Sequence, residues 1–426
     1  MFEERILIRD AFKSKEVSIA GWVEEFRDLN KIKFIILRDF SGTIQITLPK
    51  SKVDSKIFNI TLTKESVVSI KGTMIESKQA RGGKELIPKE IEIISEAESP
   101  LPIDISGKIE TDLSKRLDWR FLDLRNPKIA AIFRIQSEIC KLFREFFIKK
   151  DFTEIWPPGI ISMASEGGTE LFPVIYFNKS AYLAQSPQIY KQLLTLSKLE
   201  RVFSINPVWR AEPHDTSKHI NEVRQMDIEI AFADEKKAMK LLEEVIIYII
   251  KNIKNNCKEE LKFLNRDLKI PSVEKLRYEE IIKRLKKNNF KIEYGDDISS
   301  DAEKKISEIF GDDVLIFIDE WPIQEKPFYI MPKDSNISKG FDLEYGGREL
   351  ASGGQRIHDP VLLKKRIKEC GLDPSNFEFY INSFKYGSPP HSGWSIGLER
   401  LTMAICGLNN IREACLFPRD RERLNP

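Results

Sequence analysis

The chain has 426 residues, 68 Lys and Arg against 66 Asp and Glu, and 41% hydrophobic with 10% aromatic residues, a globular balance of two or three domains that excludes disordered and collagen-like chains. No run of about 18 apolar residues occurs, and Glu3, Glu4, Arg5 and Arg9 stand where a secretory signal needs an apolar core, so a soluble cytoplasmic protein with no membrane partner is expected. Five scattered cysteines form no Cys-x-x-Cys pair, which supports neither a disulfide framework nor a zinc site, and a net charge of +2 is silent about anionic partners.

Residues 1–97 read as short strands: Glu16 to Val23, Lys33 to Arg38, Thr43 to Leu48, Ser66 to Ile75 and Glu85 to Ile94. Turn chemistry separates them at Asp39-Phe40-Ser41-Gly42 and Arg81-Gly82-Gly83. Five strands in so short a stretch predict a small barrel, either an oligonucleotide-binding fold or a purely structural β module. A linker is expected over 98–125, opening with Ser99-Pro100-Leu101-Pro102. From 126 to 426 the pattern is that of one α+β domain without internal repeats. Ile132, Ile135, Ile139, Leu142, Phe143 and Phe146 recur at spacings of three and four, one apolar helix face. That helix is expected to stop near Asp151, and Thr153 to Trp156 then run extended into Pro157-Pro158. Further helices are predicted over Glu235 to Lys251 and Pro360 to Cys370.

The four histidines, His214, His219, His358 and His391, lie in Gly-, Arg- or Pro-rich segments that look more like sites than core. The first such segment runs Val208-Trp209-Arg210-Ala211-Glu212, then a polar stretch from Pro213 to Asn221, then Met226-Asp227-Ile228-Glu229-Ile230. It reads as two antiparallel strands with a long loop, where Arg210 can grip a phosphate bidentately and Lys218 and His219 can close on more distal phosphates, or as a solvated hairpin with a surface ion pair. The second, Gly340 to Arg356, offers Asp342 and Glu349 as hard oxygen donors suited to Mg²⁺ shared with substrate phosphates, while Gly353 and Gly354 would admit a ligand close to the backbone. A hairpin needing glycine for its turn is the alternative. The third, Gly393-Trp394-Ser395-Ile396-Gly397-Leu398-Glu399-Arg400, is a strand entering a helix and carries a planar cation. Alone it is as compatible with helix packing as with phosphate chemistry.

Together and in this order, the apolar helix running into an extended proline, the Arg-x-Glu hairpin and the Gly-rich helix bearing Arg resemble the three-motif signature of class II aminoacyl-tRNA synthetases. Ser165 to Pro173, Gln185-Ser186-Pro187-Gln188-Ile189-Tyr190-Lys191-Gln192 and Leu416-Phe417-Pro418-Arg419-Asp420 are most similar to the archaeal-type aspartyl branch of subclass IIb. The resemblance implies an OB-fold anticodon-binding domain over 1–97, a hinge over 98–125, and a class II catalytic domain over 126–426 built on an antiparallel sheet flanked by helices. It further implies a homodimer that uses ATP, Mg²⁺, L-aspartate and tRNA, with asparaginyl ligase, ammonia-using asparagine synthetase and non-catalytic tRNA-binding paralogue as rivals.

By the same resemblance, Arg210 and Arg400 are the catalytic cations. ATP contacts fall to Arg210, Ala211, Glu212, Lys218, His219, Ile220, Glu349, Gly397, Leu398, Glu399 and Arg400, and metal contacts to Asp342, Glu349 and Ser352. Aspartate contacts fall to Glu166, Ser186, Gln188, Lys191, Arg210, Asp227, Ser352 and Arg356, with Lys191 and Arg356 on the side-chain carboxylate. A buried cation left unpaired costs roughly 2–5 kcal/mol, enough to disfavour asparagine. In the barrel, Phe34 and Gln45 match anticodon-reading positions, with Arg27 and Arg81 as neighbours and Lys78, Lys84 and Lys89 as phosphate contacts. The chain departs from the family at Val223, where an aromatic often stacks on adenine, and at Glu24 with Arg81, a pair that matches neither the single-tRNA nor the dual-tRNA pattern.

Overall fold

The computed structural model describes residues 4–163, 171–213 and 216–426, in two compact units, 1–102 and 103–426. The division falls at Pro102, inside the expected hinge.

The first unit is a closed barrel with strand order β1-β2-β3-β5-β4, formed by β1 (Glu16–Asp28), β2 (Ile32–Asp39), β3 (Gly42–Pro49), β4 (Val67–Glu76) and β5 (Lys84–Ser95). Closure removes the exposed edges that so small a sheet would otherwise present. β1 is longer than its hydrophobic alternation suggested, because its first half pairs with β4 and its second with β2, with a bulge between Val23 and Glu25. Alternation sends Ile35, Leu37, Ile44, Ile46 and Leu86 inward, leaving Phe34, Gln45 and Glu85 facing out.

In the second unit an eight-stranded sheet carries the site. Its order is β9-β10-β11-β12-β13-β8-β7-β6, where β6 is Thr153–Glu154, β7 Arg201–Trp209, β8 Glu222–Ala231, β9 Ser272–Arg277, β10 Val314–Asp319, β11 Gly340–Glu344, β12 Glu349–Gln355 and β13 His391–Gly397. The pairings are antiparallel except β6 with β7 and β9 with β10. Helix α1 (Pro127–Ile148) starts on Asn126, whose side chain accepts the Lys128 amide, with Pro127 at the first position. Its apolar stripe packs beside helix α3 (Glu235–Asn256) on the sheet, where Phe143 and Phe147 meet the fully buried Trp394 at ring separations of 6.2 and 5.7 Å. The Trp394 indole N–H donates to Ala238 of α3, so the apolar layer fixes the register of β13 beneath the site. Helices α2 (Gln188–Thr195), α4 (Ser300–Phe310) and α5 (Leu398–Cys406) deliver further side chains to it.

The hairpin turn between β11 and β12 uses Gly346 and Gly347, at φ of +61° and +71°. Besides the ligand approach expected of them, Gly353 and Gly354 answer a packing need, and Gly353 lines the cavity on this sheet. A Cβ on Gly353 would sit 2.6 Å from the Gly393 carbonyl, and one on Gly354 2.8 Å from that of Lys339. Backbone crowding within the protein excludes a side chain at both.

Candidate active site

A cavity of about 300 Å³ opens on the sheet between the β7–β8 loop and the β12–β13 pair. Of the residues singled out in the sequence, Ser186, Gln188, Arg210, Glu212, Lys218, His219, Ile220, Val223, Asp227, Glu349, Ser352, Arg356, Gly397, Glu399 and Arg400 line it. Lys191 and Asp342 lie one layer behind, Leu398 packs its side chain into the core, and Ala211 does not reach the lining. Glu166 and His214 fall outside the described residues.

Arg210 follows the end of β7, and its amide donates to the Asn221 carbonyl at 3.0 Å. The Asn221 side chain returns hydrogen bonds to the carbonyls of Arg210 and Glu212, which staples the loop at its base. Residues far along the chain hold the rest: Ile411 N donates to Ser217 O, Arg412 to Thr216 O, and Asn221 N to Arg419 O at 2.7 Å. On the opposite wall the Arg400 guanidinium donates to the Glu349 carbonyl at 2.7 Å and lies 3.9 Å from its carboxylate. Arg210 and Lys218 of the β7–β8 loop and Arg400 of α5 thus present three cations to one space, the arrangement a polyphosphate requires.

Behind the lining, and reaching it through Arg356 and Asp227, lies a buried four-charge cluster. Lys191 is 1% exposed, contrary to a solvated helix lysine, and its ammonium lies 2.7 Å from Asp227, 3.6 Å from Glu229 and 3.3 Å from the Trp394 carbonyl. Arg356 grips Glu229 bidentately at 2.9 and 3.2 Å. Both cations therefore converge on Glu229, a residue that sequence reasoning left unassigned. Burial works to raise the Glu229 carboxyl, but Arg356 and Lys191 outweigh it and hold the group below its usual range. Two cations and two carboxylates make this floor electrically neutral, with Arg356 and Asp227 reaching the cavity surface. Gly393 makes room for it, since a Cβ there would sit 2.3 Å from Glu229 Oε2.

The acids assigned to a metal stand on paired strands, with Asp342 opposite Ser352. Burial, reinforced by Glu349, raises the Asp342 carboxyl even though Lys326 works against this, and its Oδ1 is buried without a hydrogen-bond partner. Lys326, also unassigned from sequence, meets the other oxygen at 2.5 Å, sits 4.1 Å above the Trp321 ring, and lines the cavity. Among the described residues no three acid, His or Cys side chains gather as a metal cage. Two hard oxygen donors nevertheless suit an ion that takes its other ligands from phosphates and water.

Of the histidines, His219 lines the cavity 3.6 Å from Glu212, whereas His391 belongs to the core. Burial pushes the His391 imidazole down to about 4, and it is held between Pro389 O and Gln192 while stacked on Phe384. The expectation that every histidine marks a site is therefore corrected at this position.

A family model for class II tRNA synthetases (D, K and N) matches residues 112–421, and one for OB-fold nucleic acid binding domains matches 17–94. The chain belongs to the class II tRNA synthetases. Among curated relatives, the aspartate–tRNA(Asp/Asn) ligase of Methanopyrus kandleri is 47% identical over 97% of this chain and 96% of its own. The aspartate–tRNA(Asp) ligase of Pyrococcus abyssi is 44% identical over 98% of each. Among solved structures, asparaginyl-tRNA synthetase from Pyrococcus horikoshii complexed with asparaginyl-adenylate matches with a TM-score of 0.95 at 32% identity, covering both chains fully. The Entamoeba histolytica aspartyl-tRNA synthetase matches at 0.87 and 32%, over 99% of this chain and 93% of its own.

In the barrel of this synthetase, Phe34 pairs with Arg27 and Thr47 on neighbouring strands and stands outside the apolar core. Gln45 donates from its amide nitrogen to Glu85 at 2.8 Å, and Thr47 donates to the same carboxylate. Glu85 thereby fixes which end of the Gln45 amide faces outward, a role with no signal in the sequence. Arg27 is paired with Glu25, Lys84 donates to Phe12 O and Lys89 is paired with Glu16, while Arg81 is exposed in the β4–β5 turn.

Proposed function

We propose that the cavity is where this class II synthetase activates L-aspartate with ATP before transferring it to the 3′-end of tRNA. The observation carrying this reading is the neutral, buried floor on which Arg356 and Lys191 share Glu229, with Arg356 reaching the cavity. An incoming side-chain carboxylate meets Arg356 there, backed by a second cation, and asparagine offers neither cation a charge. Ser186 and Asp227 are placed to accept from the α-ammonium, while the buried Gln188 amide nitrogen, without a partner among the described residues, can donate to a substrate carboxylate. The α-carboxylate then attacks the α-phosphorus and pyrophosphate leaves. Arg210 and Arg400 orient and neutralise the phosphates, so positioning and electrostatics supply the acceleration without a covalent nucleophile. Asp342 and Glu349 would hold Mg²⁺ beside Ser352, where the ion, when bound, offsets charge developing on the phosphates. Val223 replaces an aromatic wall with an aliphatic one against adenine.

Relatives named for tRNA(Asp/Asn) and for tRNA(Asp) alone both match this chain, so charging of tRNA(Asn) beside tRNA(Asp) is consistent with their names, and Phe34 and Gln45 are assigned to the anticodon. We assign a homodimer on the exposed apolar side chains Trp119, Phe121, Trp156, Leu416 and Phe417 of the catalytic unit. Arg120 ties two of these segments together by donating to the carbonyls of Cys415 and Leu416. Pyrophosphate exchange with aspartate and asparagine in parallel tests the central reading. A preference for asparagine refutes it, and charging of purified tRNA(Asp) and tRNA(Asn) settles the tRNA range.

A further inference from the structure

Helix α4 packs against the β11–β12 turn, where a Cβ on Gly347 would lie 3.5 Å from Ser307 and 3.7 Å from Lys304. It brings Glu303 to the edge of the cavity at 8% exposure. One Glu303 oxygen accepts the Glu349 amide at 3.1 Å, and the other is ion-paired with Lys218 of the β7–β8 loop. The pair stands beside a second, smaller cavity of about 30 Å³, which shares Lys218 and Arg400 with the main one and is also lined by Arg348. Among the described residues Arg348 Nη1 is buried without a partner, and its Nη2 donates to the Leu408 carbonyl at 3.4 Å.

This space holds about one water-sized group, so it is the closed end of a larger site. Three cations face it against the single lining carboxylate of Glu303, although Arg400 is shared with Glu349. A polar end with surplus positive charge suits the last phosphate of a chain whose earlier phosphates lie against Arg210 and Arg400.

We propose that Glu303 is an internal counter-anion for the terminal phosphate of ATP: it occupies Lys218 until that phosphate displaces it, and so makes Lys218 respond to nucleotides carrying a third phosphate. The proposal rests on the cavity being the ATP site. Lys218 is the group that touches phosphate, and Glu303 acts through it as a positioning residue.

Glu303→Gln keeps the acceptor for the Glu349 amide and removes the competing charge. The expected result is an ATP KM in pyrophosphate exchange lowered up to about fivefold, the scale of one partly exposed ion pair, with kcat unchanged. Binding of AMP, followed by calorimetry as a control for folding and for the adenosine end of the site, stays the same. In Lys218→Gln the preference for ATP over AMP falls, and adding Glu303→Gln to that variant changes nothing further. Weaker or unchanged ATP binding in Glu303→Gln, an equal shift for AMP, or additive effects in the double variant would overturn the counter-anion role. Unimpaired exchange in Arg210→Ala would instead overturn the placement of the ATP site itself. If Glu303→Gln does not bind AMP, Glu303→Asp decides: the shortened carboxylate must still lower the ATP KM, and failure to do so overturns the role.

Discussion

Replacing Lys191 by methionine shortens the side chain by one heavy atom and deletes its charge. The floor of the site then passes from neutral to a net charge of −1, because Asp227 and Glu229 keep only Arg356 as a countercharge. A substrate carboxylate docking against Arg356 lies within about 4–6 Å of the lost ammonium. At an effective dielectric of about 20, that unit charge is worth roughly 3–4 kcal/mol, or a few hundredfold in kcat/KM for aspartate. Asparagine carries no charge there and loses far less, so the aspartate-to-asparagine ratio in pyrophosphate exchange should fall by two orders of magnitude or so on the same arithmetic. The ATP KM should stay within about twofold, since Lys191 lies behind the amino-acid end and away from Arg210 and Arg400. Breaking a buried pair also costs roughly 3–5 kcal/mol of stability, so rates must be measured where denaturant titration shows the variant fully folded. An equal fall for both amino acids, or a change confined to ATP, would refute the charge argument.

Other consequences can be checked separately. Gly393→Ala should fail to accumulate as soluble protein, because the new Cβ would meet the Ile228 carbonyl at 2.2 Å and displace Glu229; normal yield and melting behaviour would show that the strand can shift. Phe34→Ala should raise the KM for tRNA by about tenfold, a lost stacking face being worth roughly 1–3 kcal/mol, and leave pyrophosphate exchange untouched. Stability should fall as pH drops from about 6.5 towards 4, because the unfolded chain binds a proton at His391 that the folded one refuses. That contribution is roughly 3 kcal/mol, and His391→Gln should flatten this limb of a denaturation series. Below the ordinary carboxylate range a further loss is expected as Glu229, depressed in the folded state, is protonated.

Helix α1 was legible because its apolar residues recur at one helical period, and the Arg210 hairpin because apolar runs flank a polar tip. Both are local signals, and both elements lie where the sequence placed them. Glu229, Lys326 and Glu303 were invisible for the opposite reason. Each acquires its role only through a partner from another element: Arg356 and Gly393 across the sheet for Glu229, Asp342 for Lys326, and the β7–β8 loop for Glu303. Glycine was ambiguous in the same way. Gly353 and Gly354 read as openings for a ligand, and Gly353 does line the cavity, but the backbone crowding that also demands glycine at both positions has no local signal. His391 shows that rarity and a Gly- and Pro-rich setting do not distinguish a site from a packed core, since Lys191 and Arg356 are just as buried and only the side chain's neighbours tell the two apart.

Ile411, Arg412 and Arg419 fasten the loop that bears Lys218 and His219, and Arg412 bonds a carbonyl that precedes it by 196 positions. During synthesis the hairpin leaves the ribosome long before its fasteners exist. A nascent chain can already fold its barrel and much of its sheet, but the β7–β8 loop rests on the Asn221 staple and the Glu303 ion pair until translation has passed Arg419. The proposed nucleotide pocket is therefore among the last parts of the fold to be completed.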